Sequence, residues 1–331
     1  AELANASGTD SNTAVNAAIQ RTKQARENLE KAQANFDANK QIRLAGSDRY
    51  ETAYAVAEQM KLNKGESKFK NIVVASGDNY PDALSGNYLA FTKNAPMLLT
   101  NQYEVDNTAD YIKNSIEPNG TVYILGQTSA VPASLEQKLQ GINVKRIGGS
   151  DRFETNLLIL KEARVHGEEL IVCSGLNFPD AVSASAANRP ILLADDKLSA
   201  SQKNYLSTIN PLKVYFIGGE KAVPKAVRDE FTGDTVRLAG SDRFETSRLI
   251  AENLFQGHPD RVILASGLNF PDALVGGAFN QDIGVPVILV GPDFTDAYNA
   301  KKFVSENGTK SLILLGGKLS ISDEIANYIR G

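Results

Sequence analysis

One ten-residue block is written three times in this chain: RLAGSDRYET at 43–52, RIGGSDRFET at 146–155 and RLAGSDRFET at 237–246. Its aspartates, Asp48, Asp151 and Asp242, stand 103 and then 91 residues apart, a period that holds a small domain rather than one turn of a solenoid. Three further blocks follow each copy in a fixed order. The second reads ASGDNYPDALS (75–85), CSGLNFPDAVS (173–183) and ASGLNFPDALV (265–275). The third is PMLL (96–99), PILL (190–193) and PVIL (286–289), and the fourth is an apolar strand closing on glycine: VYILG (122–126), VYFIGG (214–219) and LILLGG (312–317). The chain therefore divides into repeats over 41–142, 143–233 and 234–331, with residues 1–40 outside the repeat.

The apolar runs Ile72–Ala75, Leu170–Cys173 and Val262–Ala265 lack the alternation of a one-sided strand and read as strands buried on both faces. Helical stretches separate them, in the first copy Tyr50–Met60, Asp82–Phe91, Asp106–Ser115 and Ala133–Leu139. Strand then helix, four times per copy, predicts a parallel sheet with right-handed crossovers and helices on both faces. The fold class is α/β: three tandem copies of a small, doubly wound parallel-sheet domain in a pseudo-threefold arrangement. In the first forty residues Val15, Ala18, Thr22, Ala25, Leu29, Ala32 and Phe36 recur at alternating spacings of three and four, which predicts an N-terminal helix that packs on its own domain or connects it to something else.

Composition narrows the function. The formal charge is −4, from 35 Lys and Arg against 39 Asp and Glu, so the whole chain is not drawn to nucleic acid or anionic lipid. An anionic partner would have to be held by locally placed arginines. A lone Cys173 rules out an internal disulfide and a multi-cysteine metal site, and two histidines, His166 and His258, leave little for zinc or histidine-based catalysis. No apolar run approaches the 18 or so residues of a membrane span. No metal or cofactor is expected.

The spacing of Asp48/Glu51, Asp151/Glu154 and Asp242/Glu245 is that of a capping box at the start of an apolar helix. Capping does not require Arg49, Arg152 and Arg243, which lie in the first helical turn where a cation is mildly unfavourable. Each needs a partner, either an aspartate of a neighbouring module or an anionic ligand held by the guanidinium fork. Arg43, Arg146 and Arg237 lie within the preceding strand and suit a sheet edge or an ion pair. In the second block Pro81, Pro179 and Pro271 take the first helical positions, beside Asp82, Asp180 and Asp272. The serine and glycine before them make a turn or, more weakly, an anion nest. All these groups follow strands, and ligands of open parallel sheets collect beyond the strand C-termini. Such edges either face a common axis or line the clefts between modules.

Nothing that looks chemical is unique to one copy, whereas catalysis needs separated acid and base roles. Three weak sites on one body instead raise avidity for a polymer that repeats its epitope. On the triple [AG]GSDR[YF]ET, the triple N[YF]PDA and the proline-led apolar strand, the chain resembles the cell wall binding repeat 2 family of Gram-positive bacteria over about residues 42–331. That resemblance implies a secreted, non-enzymatic anchor of the cell wall or S-layer that binds an anionic, teichoic-acid-like secondary wall polymer. Other S-layer proteins are a further expected partner, and the competing readings are an S-layer self-assembly module and a degenerate carbohydrate-active enzyme. The polymer-binding set expected on this reading is Arg49, Arg152, Arg243, Asp82, Asp180, Asp272, Asn79, Asn177 and Asn269. The resemblance marks the apolar strand as important for anchoring, and Pro96, Leu98, Leu99, Pro190, Leu192, Leu193, Pro286, Ile288 and Leu289 are expected to support the site from the core.

Overall fold

A computed structural model describes residues 41–331 except Glu168, Asn177, Ala186, Asn188 and Gln256. The helix expected over Val15–Phe36 lies outside the described residues. The first repeat runs β1 (Gln41–Leu44), α1 (Arg49–Lys64), β2 (Phe69–Ser76), α2 (Pro81–Lys93), β3 (Met97–Thr100), α3 (Val105–Ser115), β4 (Ile116–Leu125) and α4 (Ala133–Lys138). The second runs β5 (Asn143–Ile147), α5 (Arg152–Glu162), β6 (Glu169–Ser174), α6 (Phe178–Ser185), β7 (Ile191–Ala194), α7 (Ala200–Ile209), β8 (Lys213–Ile217) and α8 (Lys225–Arg228). The third runs β9 (Asp234–Leu238), α9 (Arg243–Leu254), β10 (Arg261–Ser266), α10 (Phe270–Ile283), β11 (Val287–Val290), α11 (Phe294–Asn307), β12 (Ser311–Leu315) and α12 (Asp323–Arg330).

The strands form three four-stranded parallel sheets, in the orders β3-β2-β4-β5, β7-β6-β8-β9 and β11-β10-β12-β1. Among the described residues, no sheet is built from one repeat. The strand that opens each repeat pairs with the closing strand of the repeat before it, with Ile147 opposite Leu125 and Leu238 opposite Ile217. The first repeat completes the circle, because β1 pairs with β12 and Leu44 stands opposite Leu315. The helices repeat this order. The helices α2, α6 and α10 meet one another at the centre, and each also packs on the first helix of the next repeat: α2 on α5, α6 on α9 and α10 on α1.

The proline-led strands β3, β7 and β11 lie at sheet edges, and Leu98, Leu99, Leu192, Leu193, Ile288 and Leu289 are all buried. Proline has no N–H to give a ladder, so a strand start at an edge suits it. The carbonyls of Pro96, Pro190 and Pro286 accept from the amides of Val73, Ile171 and Ile263 at 2.9–3.0 Å. A buried edge leaves backbone groups to be satisfied by something other than water. In β7 the buried amide of Asn156 stands in for a missing strand: its Nδ2 donates to the Ile191 carbonyl at 2.7 Å and its Oδ1 accepts from the Leu193 amide at 3.0 Å. Ser247 does half of this in β11, its Oγ accepting from the Leu289 amide at 3.0 Å.

Candidate functional site

Beyond the strand C-termini, each repeat opens its first helix on an aspartate in extended backbone. Asp48 Oδ1 accepts from the amides of Tyr50 and Glu51, Asp151 Oδ1 from Glu154 and Asp242 Oδ1 from Glu245, every bond at 2.8 Å. The glutamates reach back one residue further than a strict capping box. Ser47 donates both its amide and its hydroxyl to Glu51 Oε2 at 2.8 Å, and Ser150 and Ser241 do the same for Glu154 and Glu245. These bonds stabilise the carboxylate form and hold all three glutamates below the usual carboxylate range. The N-cap bond of each aspartate contributes about 1 kcal/mol.

The arginines one residue on are half-buried, and their first partner is a backbone oxygen of their own repeat. Nη1 of Arg49, Arg152 and Arg243 donates to the carbonyl of Gly77, Gly175 and Gly267 at 2.5, 2.6 and 2.7 Å. Those glycines are required by the neighbouring aromatic ring, since a Cβ there would overlap Tyr50, Phe153 or Phe244. Arg49 also lies 5.8 Å from the ring centre of Phe270, in the third repeat. Arg43, Arg146 and Arg237 fasten the exchanged strands. Each donates Nη1 to the carbonyl of Gly316, Gly126 or Gly218 at 2.7–2.9 Å. Arg146 adds a two-pronged pair to Glu136 and Arg43 an ion pair to Asp323 at 3.2 Å, whereas Arg237 turns its second nitrogen to the Val223 carbonyl.

The aspartates of the second block sit at the seams between repeats. Asp82, Asp180 and Asp272 press against Gly126, Gly218 and Gly316, which close the fourth block with φ of 87–92° and have no room for a Cβ beside the carboxylate. Burial raises the Asp82 carboxyl to about 6, with Arg152 of the next repeat pulling the other way. Asp272 is raised by the same cause, opposed by a hydrogen bond from Ser320 at 3.1 Å and by Arg49. Tyr80 crosses the first seam, its hydroxyl donating to the Gly175 carbonyl that Arg152 also holds, and its ring lies 6.1 Å from that of Phe270.

Arg152 and Arg49 thus act electrostatically on Asp82 and Asp272 across a boundary between repeats. Asn79 and Asn269 are exposed at the rim of the same edge, and Asn177 lies outside the described residues. The anion nest is a correction: the amides of Gly77, Gly175 and Gly267 donate to Thr100, Ala194 and Val290 at 2.8 Å, and the next amide in each loop donates to a serine hydroxyl. Those donors are therefore already taken, by the neighbouring strand end and by the loop's own serine. Cys173 is fully buried, which pushes its thiol up, so it is a small core residue in the place of Ala75 and Ala265. Tyr80 and the strand exchange were not read from the sequence.

Comparison with known proteins agrees with this architecture. The family Cell wall binding domain 2 (CWB2) matches residues 43–136, 146–228 and 237–326. The chain is 26% identical over 296 residues to the N-acetylmuramoyl-L-alanine amidase LytC of Bacillus subtilis, over 87% of this chain and 58% of that protein. It is 28% identical over 295 residues to the amidase enhancer of the same organism, over 87% of this chain and 40% of that protein. Two solved structures share the fold: Cwp6 from Clostridium difficile, with a TM-score of 0.77, 24% identity and coverage of 88% of this chain and 48% of that one, and Cwp8, with a TM-score of 0.75, 23% identity and coverage of 92% and 54%. The chain spans about half the length of these relatives.

Proposed function

The chain belongs to the Cell wall binding domain 2 family, and on that premise we propose that it is a secreted, non-catalytic anchor that holds a surface protein on the bacterial cell wall. The amidase activity in the name of LytC belongs to a protein of which this chain spans 58%. The observation that carries the reading is the repetition of one set of edge groups at the seams of a closed ring. A ligand that repeats its own epitope is the natural partner of such a set, since binding at one seam raises the local concentration at the next.

The partner we propose is an anionic, teichoic-acid-like wall polymer, read at the seams by Arg49, Arg152 and Arg243 together with Asp82, Asp180, Asp272 and the rim asparagines Asn79 and Asn269, with Asn177 as their counterpart in the sequence of the second repeat. A guanidinium carries five N–H donors. The glycine carbonyl takes one and fixes the plane in which the fork stands. A fork held in place loses less entropy on meeting a phosphate or carboxylate than a mobile side chain does. The buried strands β3, β7 and β11 keep Pro96, Pro190, Pro286 and the residues after them away from solvent, which supports their role as the floor of the site.

Co-sedimentation with isolated Gram-positive walls, before and after acid extraction of their anionic polymer and across a salt series, tests the reading. Binding that needs the polymer and weakens as salt rises is the expected result. Equal binding to extracted walls would remove the anionic polymer from the account. A chain that ignores walls and associates with itself would favour a surface-lattice module.

A further inference from the structure

The three repeats offer one loop scaffold at the ligand edge and decorate it differently. In each, the glycine amide bonds the end of the neighbouring strand at 2.8 Å, and a serine hydroxyl (Ser76, Ser174 or Ser266) accepts from the amide two residues on at 3.2–3.3 Å. In the second and third repeats that residue is Leu176 or Leu268, 58% and 50% exposed, and the ring against the glycine is Phe153 or Phe244. In the first repeat the same places hold Asp78 and Tyr50. Tyr50 donates its hydroxyl to Asp78 Oδ1 at 3.1 Å, and Asn101 Nδ2 donates to the same oxygen at 3.2 Å. Asn101 in turn accepts the amides of Tyr103 and Glu104 at 2.9 and 3.2 Å, and this holds the loop from which the Tyr103 ring stands 80% exposed.

The fold does not demand this set, because two repeats keep the same backbone bonds without it. Tyr50, Asp78 and Asn101 are replaced elsewhere by Phe, Leu and either Asp195 or Gly291, yet in the first repeat the three meet in one network. The surrounding charge is negative, with Asp48 and Asp78 acting on Tyr50 and Glu104, Asp48 and Glu51 acting on Tyr54 one helical turn on, while Arg49 is turned to the Gly77 carbonyl and the Phe270 ring. An anionic group would be repelled by the Asp78 carboxylate, so the anionic polymer assigned to Arg49 lies on the seam side of the Gly77 loop, toward Phe270, and not at this rim. A carboxylate wants hydroxyl donors, an exposed aromatic ring wants an apolar face, and an uncharged sugar ring has both.

We propose that the rim formed by Asp78, Asn101 and Tyr103 is a subsite for an uncharged glycosyl residue of the wall glycan, present in the first repeat only. The subsite rests on the wall-anchor reading. Tyr103 stacks on the C–H face of the sugar, Asp78 Oδ2 and Asn101 bond its hydroxyls, and Tyr50 holds the carboxylate from beneath.

The test compares four proteins on isolated walls by co-sedimentation at about 50 and about 500 mM salt, where screening separates charged from uncharged contacts. They are the unchanged chain, Tyr103→Ala, the double variant Tyr50→Phe with Asp78→Leu, and Leu176→Ala at the matching place of the second repeat. The double variant installs the pair that the other repeats already carry, so its fold is secure. Tyr103→Ala is expected to weaken wall binding about tenfold, equally at both salts, and the double variant about tenfold at the higher salt, where screening removes the effect of the lost Asp78 charge, with Leu176→Ala near the unchanged value, as a hydroxyl-and-stacking contact requires. Unchanged binding by Tyr103→Ala and by the double variant, while the original chain still binds, overturns the subsite and leaves the anchor standing. A loss that vanishes at high salt overturns the uncharged ligand. Failure of the original chain to bind walls takes down both readings.

Discussion

Replacing Asp82 with Asn should make the protein more stable at neutral pH and worse at holding the wall. The carboxyl titrates near 6 in the fold against an ordinary value of 3.8, because burial at the first seam disfavours its charge more than Arg152 restores it. A difference of about two units corresponds to about 3 kcal/mol. The carboxyl is not wholly buried, and about 2 kcal/mol is the part expected to survive screening. The sign follows from proton uptake. Between pH 4 and pH 6 the folded chain holds this proton and the unfolded chain releases it, so stability falls as pH rises through that window. Below it both states are protonated and burial costs little; above it the full cost is present. Asparagine resembles the protonated acid at every pH. Urea unfolding of the two proteins should therefore give equal stability near pH 4 and an advantage of about 2 kcal/mol for Asp82→Asn near pH 7.5. If the variant is instead less stable at pH 7.5, attraction to Arg152 outweighs burial, and the carboxylate is a seam-holding group rather than a hydrogen-bond acceptor held for the hydroxyls of a ligand.

Three further expectations follow from the same seams. Gly126→Ala adds a methyl that overlaps the Asp82 carboxylate at a φ of 87°, and a loss of roughly 2–3 kcal/mol in urea unfolding is expected. Changing Arg49, Arg152 and Arg243 together to Gln removes three charged bonds to glycine carbonyls, each worth about 1.5–3 kcal/mol. Both the melting temperature and low-salt wall binding should drop, and a lower melting temperature with intact wall binding would confine these arginines to assembly. A chain begun at Ala45 lacks β1 and leaves β12 with an open edge, so compared with one begun at Gln41 it should melt earlier and associate in light scattering.

The sequence makes the modules legible because local chemistry specifies them. An aspartate three residues before a glutamate caps a helix, proline opens an edge strand and an unbroken apolar run is a buried strand, whichever neighbour it packs on. Pairing across repeats leaves no such local mark. The strand in RIGGSDRFET reads as the start of the second repeat, and only its register against Leu125 assigns it to the sheet of the first. The arginines were ambiguous for a related reason. Their partner is a peptide carbonyl, which every residue carries, so no residue type announces it. The asymmetry of the rim was visible as Asp78 against Leu176 and Leu268, but its link to Tyr50 and Asn101 needed a helix and two loops to be placed together.

Because every repeat hands its opening strand backwards and the first hands its own to the last, copy number in this architecture is not adjustable one unit at a time. A solenoid tolerates a unit gained or lost at its end; here the rotation per unit closes after three, in the manner of a cyclic oligomer whose subunits have been tethered. Duplication of a single repeat would leave one strand without a sheet and one sheet without a strand. The same closure gives each junction one strand handed across it, so a break at any junction leaves one sheet a strand short.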